Sequence, residues 1–216
     1  MAEFTVESRN RVKRIAELAA YDRETIYQII DEALVCHVGF VQDRQPFVIP
    51  INHARMGDSL VFHGAPASRL VKHIQAGAEV CVAITLLDGL RLARSVVHHS
   101  LNYRSAVIFG RGSLVEDEQE RLEALKALTE HIVPGRWDDA RGPTRQEMQA
   151  TAVVSLSIES ASAKVSSGPP SDEEEDYALP VWAGVLPLRQ QALEPEDDPR
   201  LSPGIPVPEY IAHYER

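Results

Sequence analysis

His98-His99-Ser100-Leu101-Asn102-Tyr103-Arg104-Ser105-Ala106-Val107-Ile108-Phe109-Gly110 settles the architecture of this chain. Around Val107-Ile108-Phe109 the run is apolar on both faces, the pattern of a strand buried in the middle of a sheet. A strand is therefore expected from Tyr103 to Val115, entered through a loop that carries Asn, Tyr, Arg and Ser. Four shorter strands precede it. Leu34 to Val41 is rich in β-branched residues, Asp43-Arg44-Gln45 is a turn, and Pro46 to Arg55 returns. Gly57-Asp58 turns again into Ser59 to His63, and Glu79 to Leu86 is the fourth. Such close spacing describes a meander of antiparallel strands. After the fifth strand, Ala152, Val154, Leu156 and Ile158 alternate with Thr151, Ser155, Ser157 and Glu159, the signature of a half-buried sixth. The expected class is mainly β with peripheral helices: six antiparallel strands in meander and Greek-key order, with few polar edges, closing into a barrel.

Helices fill the longer connections. Asp22 caps a helix whose Ile26, Ile29, Ile30 and Ala33 share one face. Pro66 suits the first turn of another, with Leu70, Val71 and Ile74 inward and Gly77 at its end. Asp117 with Glu120 resembles a capping box ahead of the stripe Leu122, Leu125, Leu128, Ile132. Thr144 to Ala150 is a short helix. Asp88 to Leu101 reads as a covering segment, Gly168-Pro169-Pro170 as a breaker after the sixth strand, and Asp172 to Asp176 as a solvated acidic loop. Three regions follow: an arm over 1–21, a domain over 22–188, and a Pro-rich acidic tail over 189–216.

The 216 residues carry 22 basic and 32 acidic side chains, a formal net charge of -10. That surface repels nucleic acid and anionic lipid, so neither is an expected partner. Cys36 and Cys81, the two cysteines, lie in apolar runs and read as reduced core thiols. Without a disulfide framework, and with no apolar leader in Met1-Ala2-Glu3-Phe4 or bilayer-length run, a cytoplasmic protein is expected.

Two segments carry phosphate-binding chemistry. In His63-Gly64-Ala65-Pro66-Ala67-Ser68-Arg69, Ser68 and Arg69 open a helix, where free N–H groups favour an anion, and Lys72 follows one turn later. Arg104 and Ser105 offer a second wall from the central strand, and a guanidinium fork holds two phosphate oxygens at once. Neither segment has the glycine pattern of a P-loop or dinucleotide fold. Pro50, inside the second strand, marks an edge, a bulge or a place where a ligand replaces a strand neighbour. His63 is an edge residue, a hydrogen-bonding group or an iron ligand. His98 and His99 point to opposite faces of a strand and cannot easily share one ion, and no zinc spacing occurs, so no structural metal is expected. There is no nucleophile elbow, and no catalytic residue is assigned. Trp182, between Pro180 and Gly184, is either a core anchor or an aromatic wall for a planar ring.

These segments, with Tyr21-Asp22-Arg23, Phe47-Val48-Ile49-Pro50, Phe109-Gly110, Val133-Pro134-Gly135-Arg136-Trp137 and Leu179 to Leu186, resemble the pyridoxamine 5′-phosphate oxidase-like, FMN-binding split-barrel superfamily. The likeness runs from Tyr21 to Leu188 and is greatest to the flavin-nucleotide-binding branch that includes the 5-nitroimidazole resistance proteins. It implies a split barrel and a homodimer, with FMN at the subunit interface. The Pro50-Ile51-Asn52 backbone would run along the isoalloxazine. His63, Gly64, Ser68 and Arg69, with Lys72 beyond them, match the turn that holds phosphate. Tyr103, Arg104 and Ser105 would approach from the other side, and Trp182 would come from either subunit, the partner included. The chain departs from the oxidase itself, lacking the paired Arg and Lys that frame the strand at Phe47 to Asn52. His63 matches a functional His of the nitroimidazole resistance relatives. The expectation is a flavin-dependent oxidoreductase acting on a small molecule, including a nitro compound. The alternatives are an FMN storage or sensing module, and a haem-binding relative with His63 or one of His98 and His99 on the iron.

Overall fold

The computed structural model describes residues 2–215. Ten strands form its framework: β1 (Ala19–Ala20), β2 (Val35–Gln42), β3 (Gln45–Asn52), β4 (Ala54–Met56), β5 (Ser59–Gly64), β6 (Glu79–Leu92), β7 (Ser100–Leu114), β8 (Ala152–Ser157), β9 (Ser160–Ser166) and β10 (Gly184–Pro187). They are joined and covered by α1 (Arg23–Glu32), α2 (Arg69–Gln75), α3 (Glu118–Ile132), α4 (Arg136–Asp139), α5 (Arg145–Ala150) and α6 (Glu209–Ala212). The six strands expected from the sequence are all present, the second of them divided into β3 and β4. The class is mainly β and antiparallel throughout.

The strand read as central is central. β7 pairs with β6 along nearly its whole length, with β9 from Tyr103 to Phe109, and with β8 from Gly112 to Leu114. It belongs to both halves of the fold, and its Ala106 and Ile108 are fully buried. The barrel, however, does not close. The order β3-β2-β6-β7-β8-β5-β4 ends on two edges that do not pair with each other. The chain passes from β3 to β4 through the single residue His53, so the two strands follow one another instead of lying side by side.

Three further differences have local causes. β9 has no strand signal in the sequence, since Ser160-Ala161-Ser162-Ala163 lacks branched residues; burial against β7 and α1 supplies what propensity does not. The expected covering segment is the far end of a long hairpin, since β6 runs on to Leu92 and β7 starts at Ser100. Asp172 is not solvated: its side chain is 1% exposed and accepts from the backbone N–H groups of Arg94 and Ser95. Burial alone would raise its carboxyl, but these donors and the Arg94 guanidinium outweigh it and hold the carboxyl below its ordinary value.

Helix starts follow their caps. Asp22 Oδ1 accepts from the Thr25 N–H at 2.8 Å, Asp117 from that of Glu120 at 2.9 Å, and Thr144 with Glu147 forms a reciprocal box at α5. α1 buries Ile26, Ile29 and Ile30 against the sheet, where they meet Val38, Val82, Ile84 and Ile108. Phe4, from the N-terminal arm, is buried in the same cluster. No helix among the described residues is long and apolar enough to cross a membrane.

Cys36 sits in this core, fully buried, and burial pushes its thiol up to about 12. At pH 8 the thiolate fraction is then roughly 10⁻⁴, far below that of a free cysteine. Cys36 is expected to resist iodoacetamide in the native protein and to react at an ordinary rate in denaturant. Mass-spectrometric mapping of the alkylated site checks this, and rapid native labelling of Cys36 contradicts it.

Candidate functional site

A cavity of about 590 Å³ opens between the β4–β5–β8 half of the fold and the helices that follow β7, a size typical of ligand sites. α3 contributes Leu125, Leu128, Thr129 and Ile132, α4 and its approach Arg136 and Trp137, and α5 Glu147 and Met148. From the sheet side come Asn52, at the end of β3, and His63, on β5 opposite Val153. The walls combine the apolar Leu125, Leu128, Ile132, Trp137 and Met148 with polar groups from His63, Arg136, Arg141 and Glu147. His63 Nδ1 is buried and has no hydrogen-bond partner. Arg141 also lines the cavity, but Glu147 holds it by two bonds of 2.8 and 2.6 Å. That pair, led by the Arg141 hydrogen bonds, brings the Glu147 carboxyl down to about 2. A second cavity, of about 470 Å³, lies around Phe40, His73, Cys81 and Phe109 and contains none of the residues expected from the sequence to bind a cofactor.

The strand puts His63 on the face of Val61, toward α3, and its neighbour Gly64 on the opposite face, toward the start of α2, so the expectation that His63 faces that helix start is not met. There Ser68 Oγ caps the helix, accepting the Val71 N–H at 3.4 Å. Gly64 leaves room for that turn, since a Cβ there would meet Val71 Cγ2 at 3.4 Å and Ser68 Oγ at 3.6 Å. Arg69 lies over the Phe47 ring of β3, 4.0 Å from its centroid. Among the described residues neither Arg69 nor Lys72 has a carboxylate partner, and both are exposed. Pro50 is exposed on the edge strand β3, opposite His37, where a missing N–H costs no ladder bond. Ile51 and Asn52 are half-buried beside it.

The other expected wall lies elsewhere. Arg104 reaches Glu32 through Nη1 and Nη2, and Asp88 through Nε and Nη2 at 3.0 and 2.7 Å. Those hydrogen bonds, Glu32 first and then Asp88, raise its already high pKa. Ser105 Oγ donates to the Lys164 carbonyl at 3.5 Å, and Tyr103 is half-buried opposite Leu87 and Ser166. α2 touches β7 at Gly112, whose Cβ position lies 2.9 Å from Ile74 Cγ2. From Gly112 to Arg104 is eight residues, roughly 27 Å of strand. Within one chain, then, Asn52 and His63 share the cavity, Gly64 and Ser68 form the turn before α2, and Arg69 lies on Phe47, while Arg104 and Ser105 are engaged by Glu32, Asp88 and Lys164. Trp182 is 66% exposed, so it anchors no core of its own chain. Its ring covers Gly184, where a Cβ would meet Cζ2 at 2.9 Å.

The cavity helices were legible only as helices. Leu125, Leu128 and Ile132 form the expected stripe, yet of these only Leu128 is fully buried. Apolar residues on a helix that its own sheet does not cover were the available signal, together with Pro134-Gly135 folding Arg136 and Trp137 back over them.

The pyridoxamine 5′-phosphate oxidase family profile matches residues 22–165. Two solved structures resemble the chain over nearly its whole length. The flavocytochrome Anf3 of Azotobacter vinelandii is 45% identical, with 95% of each chain covered and a TM-score of 0.89. The FAD and haem binding protein of Mycobacterium smegmatis is 36% identical over 90% of this chain and 95% of its own, with a TM-score of 0.86. A candidate 5-nitroimidazole antibiotic resistance protein of Bacteroides thetaiotaomicron shares the fold at 24% identity, over 68% of this chain and 86% of its own, with a TM-score of 0.58. No curated protein sequence matches.

Proposed function

Because the chain belongs to the flavin-binding pyridoxamine 5′-phosphate oxidase-like family, we propose that it is an oxidoreductase that holds two groups, a flavin nucleotide at the start of α2 and a haem in the cavity beside it. The observation that carries this reading is His63. Its ring stands on the wall of the cavity, with a buried nitrogen that no protein group satisfies. Imidazole nitrogen is a common protein ligand of haem iron. Leu125, Leu128, Ile132, Trp137 and Met148 fit a flat macrocycle, and Arg136 and Arg141 at the rim fit its carboxylates. Two solved relatives with high coverage are named for flavin and haem together, which supports the same pairing.

Bound together, the two groups supply hydride chemistry at the flavin and one-electron chemistry at the iron. The protein's own contribution is placement. Arg69 and Lys72, free of carboxylates, hold the flavin phosphate, assisted by the turn at Gly64 to Ser68. The edge of β3 from Pro50 to Asn52 presents backbone groups to a ring. His63 joins the two sites through the chain: its side chain lines the cavity, and its backbone runs into the Gly64 turn before α2. The α3 and α5 side chains keep water off the iron ligand. Trp182, exposed and free of its own core, serves the flavin of a second copy. The exposed Val96, Val97, Val181 and Trp182 near the β6–β7 tip favour such a homodimer, because apolar groups gathered on a surface mark an interface.

The first test is the visible absorption spectrum of the purified protein, repeated after separate additions of FMN, FAD and haemin followed by desalting. A retained flavin spectrum together with a Soret band supports the reading. Failure to retain haemin removes the haem half, and failure to retain either flavin removes the other. Arg69→Ala is expected to weaken flavin binding from severalfold to a hundredfold, about 1–3 kcal/mol for a charged hydrogen bond. Unchanged affinity by fluorescence titration would free Arg69 from the phosphate.

A further inference from the structure

The cavity wall that carries Arg136 is held from outside by the end of the chain. Tyr210, on α6, lays its ring against Gly135, whose Cβ position is 3.6 Å from the ring. Its hydroxyl accepts from Arg136 Nη1 at 3.0 Å and donates to Asp139 Oδ2 at 2.5 Å. Arg136 Nη1 also lies 3.2 Å from Asp139 Oδ2. One turn on, the Tyr214 hydroxyl donates to the Ile132 carbonyl at 2.9 Å. From within, the Glu130 carboxylate accepts the N–H groups of Gly135 at 2.6 Å and Trp137 at 2.8 Å. The corner from Ile132 to Trp137, three of whose residues line the cavity, is thus clamped on both sides.

The clamp has a chemical consequence. Both Asp139 and Tyr210 take the same nitrogen of Arg136. Among the described residues the Nε–H and Nη2–H donors of its fork have no partner. Arg141, by contrast, gives both of its terminal nitrogens to Glu147. Arg136 is therefore the rim guanidinium with an edge to spare, and a guanidinium edge matches a carboxylate bidentately.

We propose that Tyr210 is a positioning residue, fixing Arg136 so that its free edge receives a carboxylate of the cavity ligand, and that the C-terminal segment thereby selects a carboxylated macrocycle. This rests on the haem reading above. Tyr210 does not touch the ligand; it acts through Arg136.

The full-length protein is titrated with two probes, haemin and haemin dimethyl ester, whose carboxylates are masked. Tyr210→Phe is expected to lose about threefold to tenfold in haemin affinity, the worth of one hydrogen bond, with ester affinity unchanged. In an Arg136→Ala background the same substitution is expected to have no further effect, because the two residues act as a unit. Haemin affinity equal to wild type, equal losses for both probes, or a full loss persisting in the Arg136→Ala background each overturns the proposal while leaving haem binding intact. Wild-type protein that takes up neither probe overturns the haem reading, and this inference with it.

Discussion

His63→Ala is expected to remove the Soret band of the haemin-reconstituted protein, or to leave only a broad, weakly bound spectrum. Haemin affinity should fall at least a hundredfold, about 3 kcal/mol. The size of the effect follows from the cavity. Its walls are otherwise apolar side chains, an amide at Asn52, hydroxyls at Thr129 and Thr151, two guanidiniums and a carboxylate already paired, so among them only the imidazole offers a nitrogen lone pair to iron. His98 and His99 do not line the cavity. His99 Nδ1 accepts the Ala93 N–H at 3.0 Å, and His98 lies 3.9 Å from Asp172 Oδ1. Folding should survive, because the substitution deletes a buried nitrogen that makes no hydrogen bond. Imidazole added to the variant should restore part of the band. A band of unchanged position and strength would take His63 off the iron.

Gly110→Ala is expected to be the most damaging single-methyl addition among the glycines of the fold. A Cβ at Gly110 would stand 2.4 Å from the Ser157 carbonyl oxygen and 3.3 Å from Leu156 Cδ1. The obstacle is backbone, and that backbone cannot retreat. Ser157 is paired with Ser59 and Leu156 with both Leu60 and Gly112. Gly110 is where β7 stops pairing with β9 and begins to approach β8, so the split between the two halves of the fold passes over it. Overpacking of this kind costs about 3 kcal/mol or somewhat more, which lowers the melting temperature by roughly 6–12 °C in a chain of this size. Gly142→Ala is the control, since a Cβ there meets nothing within 4 Å; it should change stability by less than about 0.5 kcal/mol. Equal melting temperatures by calorimetry would mean that β7 and β8 do not approach this closely.

Much of the architecture was visible in the residues themselves. The apolar run at Val107 to Phe109 read as a central strand and is one, because a strand covered on both faces must be apolar on both. Asp22, Ser68 and Thr144 sit at helix starts because short polar side chains satisfy the first free N–H groups. A turn entering a helix was legible after His63, although the helix starts at Arg69 and not at Pro66.

What the sequence could not convey concerns groups far apart in the chain. Arg104 read as a phosphate ligand, but Glu32 and Asp88 occupy it, and no local pattern pairs an arginine with carboxylates 72 and 16 residues away. Asp172 stood in a run of acids and read as solvated; its burial comes from the β6–β7 hairpin folding over it.

From the sequence alone came the six expected strands and the helix starts at Asp22, Asp117 and Thr144, the likeness to a flavin-binding family, and the candidates His63, Ser68 and Arg69. Only the tertiary structure decided that the sheet stays open between β3 and β4, that Arg104 is taken, and that a cavity joins His63 to α3, α4 and α5. The physical reason is range. Periodicity and capping report the environment of a residue through its neighbours in the chain. A cavity is the space left where segments from Asn52, His63 and 125–151 pack imperfectly, and that space exists only once they have met.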